Sequence, residues 1–241
     1  MPTPATAVVA VDGPSGSGKS SVSRGVARAL GLRYLDTGAM YRAITWAVLR
    51  DGVDVHDADA VAATAAGVRL GWSTDPDESG IAVDGLDASR AIREEAVTSS
   101  VSAVAAEPRA RAVLVELQRG AVRDAQAAGQ GIVVEGRDIG SVVLPDADLK
   151  VWLVADPAVR AARRALEDAA AGRVPVAAGS GPAPAVDLVA ADLARRDALD
   201  AGRAASPTTQ ADDAVVVDAT DLGLAEVIDV VVGLVRERTG S

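Results

Sequence analysis

A segment near the N-terminus constrains the fold of this chain more than any other. Residues Ala7–Val11 form an unbroken apolar run, and a short run that stops at Gly and Pro is typical of a buried parallel strand. The next residues, Gly13–Ser20, read GPSGSGKS and match G-x-x-x-x-G-K-[ST] without a gap. Apolar residues then recur at helical spacing over Lys19–Leu30. The segment therefore predicts a strand, a glycine-rich turn and a helix, the arrangement that cradles phosphate groups.

Each part of this motif has a role in binding a nucleoside triphosphate. Glycines permit backbone angles at which successive N–H groups point at phosphate oxygens, and the start of the helix adds the positive end of its dipole. Lys19 is expected to reach the β and γ phosphates, and the Ser20 hydroxyl to hold Mg²⁺. Lys19 is one of only two lysines in the chain. The predicted ATP-binding residues of this segment are Gly13, Pro14, Ser15, Gly16, Ser17, Gly18, Lys19, Ser20 and Ser21.

Composition excludes several other chemistries. The chain has no cysteine, which removes disulfides, thiolate nucleophiles and Cys-ligated metals, and its single histidine, His56, rules out a His-rich metal site. A net charge of −10 and 2% aromatic residues argue against a nucleic-acid or anionic-membrane partner. The N-terminus lacks a basic region followed by a long apolar run, and no apolar stretch approaches the ~20 residues of a spanning helix. A cytoplasmic protein is expected.

The motif predicts a triphosphate but leaves three classes of protein open. A switch GTPase reads guanine with [NT]-K-x-D, but the chain has no Asn, and Lys150 is followed by Val-Trp-Leu. A motor ATPase usually has an apolar strand ending in Asp-Glu, whereas Ile132–Glu135 ends in a single acid before Gly136 and Arg137. A small-molecule kinase is favoured. A nucleotide-binding regulator without turnover is the alternative outside the enzymes.

A kinase that phosphorylates a phosphate needs a second anion site, and arginine suits it because the guanidinium fork binds phosphate oxygens in pairs. Arg42 follows a predicted strand and turn, and Arg137 follows the strand Ile132–Glu135, at the end where α/β proteins bind ligands. A phosphate acceptor is largely ionised at neutral pH, with a second pKa near ~6, so it needs no general base. Positioning and charge neutralisation then suffice.

The whole chain predicts an α/β fold, a P-loop kinase with a five-stranded parallel sheet and flanking helices. The expected strands are Ala7–Val11, Arg33–Leu35, Ile132–Glu135, Leu149–Val154 and Ala214–Asp218.

Two stretches depart from the alternation of strands and helices. Asp51–Glu107 is interpreted as an insertion with a small sheet, built on strands Val68–Trp72 and Ile81–Val83 and an Asp84-Gly85 hairpin. Gly172–Pro184, rich in Gly, Pro and Ala, predicts a mobile loop. The predicted organisation is one domain, with a core (about 1–36, 108–160 and 201–241), an insertion (about 37–107) and a region around the loop (about 161–200).

On these residues the chain resembles the bacterial cytidylate kinases, a family of nucleoside monophosphate kinases. The resemblance runs over nearly the whole chain and implies transfer of the ATP γ-phosphoryl group to CMP or dCMP, with Mg²⁺, in pyrimidine nucleotide metabolism. It further implies that the insertion (about 37–107) binds a monophosphate and that the region around the loop (about 161–200) is a lid. A monomer is expected. The matching segments are Val11–Ser20, Leu35–Arg42, Ile92-Arg93, Val97–Arg111, Glu135–Gly140, Arg195-Arg196-Asp197, Asp200 and Arg203.

The resemblance also implies roles for individual residues. Arg42 and Arg137 would hold the acceptor phosphate, while Ser102, Arg111 and Asp138 would read the cytosine edge. An acid that accepts from the cytosine amino group would discriminate against the uracil carbonyl. The other implied site residues are Thr37 at the sugar, Arg163 at ATP, and Arg196, Asp200 and Arg203 on the lid side, with Lys19, Arg137, Arg196 and Arg203 as the catalytic set.

Three departures from the family pattern accompany the resemblance. Thr37 stands where relatives often have Ser, Glu135 stands where Asp is common, and the lid is longer than in many relatives. The second enzyme hypothesis is another small-molecule P-loop kinase, such as a general pyrimidine monophosphate kinase or a shikimate-type kinase.

Overall fold

A computed structural model describes residues 3–170, 182–201 and 209–240 of the chain. Its centre is a parallel sheet of five strands in the order β2-β6-β1-β7-β8. This confirms the predicted five-stranded parallel α/β fold. The five strands are β1 (Val8–Asp12), β2 (Arg33–Asp36), β6 (Ile132–Glu135), β7 (Leu149–Val154) and β8 (Val215–Asp218).

Helices cover both faces of this sheet. The side chains of β1 alternate between two cores: Val8 and Ala10 join one core, while Val9 and Val11 join the other. Both sides of the strand are therefore apolar, which is why its sequence is an unbroken apolar run. The helices are α1 (Lys19–Leu30), α2 (Thr37–Arg50), α3 (Ala58–Gly67), α4 (Glu95–Val104), α5 (Pro108–Ala127), α6 (Pro157–Ala170), α7 (Pro182–Ala201) and α8 (Leu224–Thr239).

The two cores use different helices. Buried residues of α1 and α8 pack on one face of the sheet, and buried residues of α2, α3 and α5 pack on the other. Helix α1 ends where Gly31 adopts a left-handed conformation and its N–H donates to carbonyls of the last turn. Helix α2 begins where the carboxylate of Asp36 accepts from the N–H of Ala39 at 2.9 Å.

The region between α2 and α5 contains a second, antiparallel sheet of strands β3 (Leu70–Trp72), β4 (Ile81–Val83) and β5 (Leu86–Asp87). Asp84 and Gly85 both have positive φ at the tight turn between β4 and β5, as the Asp-Gly pair predicts. Helix α3 was not predicted. Its sequence is mostly alanine, and only Val61 and Ala65 are buried, so its apolar periodicity is weak.

The parallel order places the carboxyl ends of the strands at one edge of the sheet, where ligands bind in open α/β proteins. The glycine-rich turn follows β1 there, and Asp36 and Glu135 are the last residues of β2 and β6. Of the predicted loop Gly172–Pro184, residues 172–181 lie outside the described residues, and α7 begins at Pro182, before the predicted start at Val186. Among the helices the structure describes, none is long and apolar enough to cross a membrane.

Candidate active site

The loop between β1 and α1 has the backbone that the phosphate-binding motif requires. Gly13, Gly16 and Gly18 have φ values of 150°, 75° and 93°, which only glycine adopts readily. A Cβ on Gly13 would also overlap the carbonyl oxygen of Leu153 on β7. The glycines are therefore required both by the turn itself and by its close approach to the sheet.

Lys19 lies at the start of α1 with its side chain folded over this loop. Its ammonium donates to the carbonyl oxygen of Pro14 at 2.7 Å, so the charge is held against the loop. Burial, and then the nearby charge of Arg137, lower the pKa of Lys19 to about 8, while the charge of Glu135 opposes the shift. A bound polyphosphate would favour the protonated lysine for the same electrostatic reason.

A network of hydroxyl groups surrounds the carboxylate of Glu135, at the end of β6. Ser20 donates to this carboxylate at 3.0 Å, and the buried hydroxyl of Tyr34 donates to its other oxygen. Burial, and then the charge of Asp36, raise the pKa of Glu135 to about 7. Oxygen ligands of this kind suit Mg²⁺, which usually takes one or two carboxylates together with substrate phosphates. The residues present therefore fit a magnesium ion.

Opposite the cradle, arginines line the same cleft, which has a volume of about 190 Å³. Arg42, on α2, is oriented by the hydroxyl of Thr98 at 2.7 Å and by the carbonyl oxygen of Ile92 at 3.4 Å. Arg137 follows β6 and lies close enough to Lys19 to affect the pKa of that lysine. The structure thus brings Arg42 and Arg137 together with the phosphate cradle, as the sequence predicts.

A buried ion pair adjoins Arg137, because its acidic member, Asp138, is the next residue of the chain. The guanidinium of Arg111, on α5, donates to the carboxylate of Asp138, and both side chains are almost fully buried. The guanidinium also lies over the ring of Tyr41, with its carbon 5.4 Å from the ring centroid. Two of the three residues predicted to read a cytosine edge, Arg111 and Asp138, are therefore paired with each other.

Asp12, the last residue of β1, connects the cradle to this pair. Its buried carboxylate accepts from the N–H groups of Ile139 at 2.8 Å and Gly140 at 2.7 Å, at the start of a π-helical turn that directly follows Asp138. Burial raises the pKa of Asp12 to about 6, although both backbone hydrogen bonds oppose that shift.

Helices α6 and α7 pack against the outside of the cradle. Arg160 on α6 and Asp197 on α7 form an ion pair with a separation of 2.5 Å, and both contact the backbone of Ser15. Arg163, predicted to bind ATP, donates to the carbonyl oxygens of Ala219 and Leu222 in the loop after β8. Its neighbour Arg164 lines the cleft instead.

Other predicted residues have different surroundings. The hydroxyl of Thr37 is buried and donates to the carbonyl oxygen of Glu135 at 2.7 Å, while Ser102 lies half-buried on α4. Arg196 and Asp200 belong to α7, but their side chains lie outside the described residues, as does the whole of Arg203. The roles expected for these residues stay predictions.

Sequence reasoning missed the residues that hold the site together: Asp12, Tyr34, Thr98, Arg160 and, as a contact of the cradle, Asp197. Asp12, Thr98 and Asp197 lie within segments that match the family, and Asp12 also follows an apolar run at the carboxyl end of a strand; these signals could have indicated a role. The contact between Asp197 and Ser15 spans 182 positions of the sequence and has no local signature.

Taken together, a glycine cradle after β1, a lysine folded over it and a facing arginine cluster define the class of P-loop kinases. A family model described as "Cytidylate kinase" matches residues 9–237. Three cytidylate kinases are similar over almost their whole length. That of Streptomyces avermitilis is 50% identical over 231 residues, covering 96% of this chain and 93% of that protein.

The cytidylate kinase of Streptomyces griseus is 52% identical, covering 95% of this chain and 92% of that protein. That of Mycobacterium avium is 50% identical over 236 residues, with coverage of 98% and 97%. The chain belongs to the cytidylate kinase family. A shikimate kinase from Acinetobacter baumannii, solved in complex with shikimate, aligns over 98% of this chain and 96% of its own with 14% identity and a TM-score of 0.41, too weak a likeness to bear on the substrate.

Proposed function

We propose that this protein transfers the γ-phosphoryl group of ATP to CMP or dCMP, giving ADP and CDP or dCDP, in pyrimidine nucleotide metabolism. The observation that carries the proposal is the cleft itself. Its walls hold Ser15, Gly16, Gly18, Lys19 and Ser20 on one side and Arg42 and Arg137 on the other. A cleft built this way can hold two phosphate groups in one line. Membership of the cytidylate kinase family supports the choice of acceptor.

Positioning and charge neutralisation would carry the transfer. The backbone N–H groups of the loop and Lys19 would bind the β and γ phosphates, while Arg42 and Arg137 would hold the acceptor phosphate for in-line attack. Because the attacking oxygen belongs to an ionised phosphate, no side chain has to remove a proton. The positive charges of Lys19 and Arg137 would offset the negative charge that develops on the transferring group.

Mg²⁺ would be held by the Ser20 hydroxyl together with the phosphates, with the Glu135 carboxylate beside it. When bound, the ion would neutralise phosphate charge and order the phosphate chain. The hydrogen bond from Tyr34 orients the Glu135 carboxylate, because it engages the oxygen that does not accept from Ser20.

Recognition of cytosine would fall to Asp138, Arg111 and Ser102. The carboxylate of Asp138 can accept from the cytosine amino group, whereas a uracil carbonyl would face it with a second acceptor. The buried pair of Asp138 with Arg111 orients both side chains before the base arrives.

The remaining parts of the proposal concern organisation. Residues 37–107 would form the acceptor-binding insertion and residues 161–200 the lid, whose closure would exclude water so that the phosphoryl group goes to CMP. Arg163, Arg196, Asp200 and Arg203 would act from the lid side. We expect a monomer acting in the cytoplasm, and sedimentation at micromolar concentration would test the oligomeric state.

A panel of acceptors tests the function. ADP release is measured with ATP and Mg²⁺ in the presence of CMP, dCMP, UMP, AMP, GMP or shikimate. We expect rapid ADP release with CMP or dCMP and much slower release with the other acceptors. Equal rates with all the monophosphates would refute recognition of cytosine, and tight ATP binding without acceptor-dependent turnover would favour a regulator.

A further inference from the structure

Both backbone polar groups of Ser15, in the middle of the phosphate cradle, are held by side chains from α6 and α7. Its N–H donates to the carboxylate of Asp197 at 3.1 Å, and its carbonyl oxygen accepts from the guanidinium of Arg160 at 2.9 Å. Asp197 and Arg160 also pair with each other at 2.5 Å. The three groups form a closed ring of hydrogen bonds around one backbone position.

This ring is partly shielded from solvent. The side chain of Arg160 is 12% exposed and that of Asp197 is 23% exposed. Charge-assisted hydrogen bonds in such surroundings are stronger than surface ion pairs, and they fix the orientation of the peptide they engage. Ser15 lies between Gly13 and Gly16, whose positive φ values only glycine adopts readily.

The same carboxylate reaches the acceptor side. Arg137 donates to Asp197 at 3.4 Å, through the oxygen that also accepts from Ser15. One side chain on α7 thus contacts the donor cradle and an arginine that faces the acceptor. Asp197 therefore links α7 to the phosphate cradle and to the acceptor side of the site.

We propose that Asp197 and Arg160 are positioning residues that clamp the backbone of Ser15, so that the placement of α7 and the shape of the phosphate cradle depend on each other. The proposal deepens the kinase function and rests on it. The clamp acts through the cradle and makes no contact with the reacting atoms. It predicts that loss of either partner loosens the loop and weakens binding of ATP, even though neither residue belongs to the motif.

The experiment compares Asp197→Ala, Asp197→Asn, Arg160→Met and the double variant Asp197→Ala/Arg160→Met. Asp192→Ala is the matched control, because Asp192 lies on the same helix and pairs with Arg195 at 2.6 Å in an exposed position. For each variant we measure amide hydrogen exchange in the proteolytic peptide that spans residues 13–19 and the Kd for ATP in the presence of Mg²⁺. We then measure KM for ATP and for CMP.

We expect Asp197→Ala and Arg160→Met each to raise the Kd for ATP about tenfold, as for loss of a charge-assisted bond, and to speed exchange in the loop. The Kd for ATP of the double variant should be at most about twofold higher than that of the single variant with the higher Kd, because both substitutions break the same clamp. Arg160→Met, which leaves the contact between Asp197 and Arg137 in place, should raise KM for ATP without raising KM for CMP. Asp197→Asn should be milder because its amide oxygen can still accept from Ser15.

Two results would overturn the proposal. One is loop exchange and ATP affinity in Asp197→Ala that match those of Asp192→Ala, even if the melting temperature falls. The other is a double variant whose loss of ATP affinity equals the product of the two single losses. If the wild-type protein released no ADP with CMP, the proposed function would fail, and ATP affinity and loop exchange would still decide whether the clamp exists.

Discussion

The phosphate cradle and the acceptor side of the cleft are held in place in different ways. The cradle comes from eight consecutive residues, and its shape follows from glycine backbone angles and from the closeness of Gly13 to β7. The acceptor side comes from separate elements, and side-chain contacts hold it: Arg42 on Thr98, and Arg111 on Asp138. The cradle is shaped mainly by its backbone, and the acceptor side by side-chain hydrogen bonds and one buried ion pair.

Because of this difference, we expect the cradle and the acceptor side to respond differently when their ligands bind. The cradle presents backbone N–H groups and one lysine to a phosphate. The lysine would first leave the carbonyl oxygen of Pro14, and the N–H of Ser15 already donates to the carboxylate of Asp197. On the acceptor side, the base must share or replace partners that are already engaged, as in the buried pair of Arg111 and Asp138. Specificity is therefore expected to reside on the acceptor side, since a wrong base would leave buried charges poorly paired.

The largest effect should come from Lys19→Met, which removes the positive charge from the cradle. We expect kcat to fall about 10³-fold, because the charge on the transferring phosphate would lose a neutralising group. The control is Lys150→Met, since Lys150 is the only other lysine, lies buried against Gly140 and donates to Asp213 at 2.8 Å. It should lower the melting temperature and keep kcat. Equal losses of kcat in both variants would contradict the role of Lys19.

Asp138→Ala should impair use of CMP, on the acceptor side, without impairing binding of ATP in the cradle. We expect kcat/KM for CMP to fall about 100-fold, because the acceptor for the cytosine amino group is lost, while the Kd for ATP changes less than about twofold. Removing one member of a buried pair should also lower the free energy of unfolding by about 3 kcal/mol. Steady-state kinetics, ATP titration and urea unfolding measure these quantities. Equal losses for CMP and ATP would mean that Asp138 is structural.

The next effect concerns Asp12, which joins the two regions and whose pKa rises from 3.8 to about 6 on folding. The folded protein therefore binds more protons than the unfolded chain between these values, so the favourable contribution is complete below about pH 4 and is lost as pH rises through 6. Relative to Asp12→Asn, which does not titrate, the free energy of unfolding should fall by up to about 3 kcal/mol from pH 4 to pH 7. Urea unfolding at each pH measures it, and a constant difference would contradict it.

Thr98→Val should give the smallest effect, and that effect should be confined to the acceptor side. Without the hydroxyl that orients Arg42, KM for CMP should rise about fivefold, the value of one ordinary hydrogen bond, while KM for ATP stays unchanged. Ser99→Ala is the control, because the exposed hydroxyl of Ser99 bonds only within its own helix, to carbonyl oxygens of Glu95 and Ala96. A rise in KM for ATP with Thr98→Val would show that the two regions are not separable.

Much of the fold was predictable because its signals are short. The strands at Ile132–Glu135 and Leu149–Val154 have the predicted bounds, since buried parallel strands are apolar throughout. Helix α1 also has its predicted ends, because Gly31 closes it. Helix α3 was missed because alanine forms helix without marking a buried face. The start of α7 was placed too late because Pro182 and Pro184 were interpreted as loop residues, although proline fits the first turn of a helix.

By itself, the sequence determined the phosphate cradle, because glycine, lysine and serine at fixed spacing carry their own backbone preferences wherever the segment lies. The sequence also indicated Arg42 and Arg137 of the acceptor side, because both follow predicted strands. The partners of the carboxylates are visible only in the tertiary structure. Arg111 forms an ion pair with Asp138, and Asp197 forms ion pairs with Arg160 and Arg137 and accepts a hydrogen bond from Ser15. Ion pairs between distant elements depend on how helices pack on the sheet, and with so many arginines and aspartates in the chain, no local pattern distinguishes the partners.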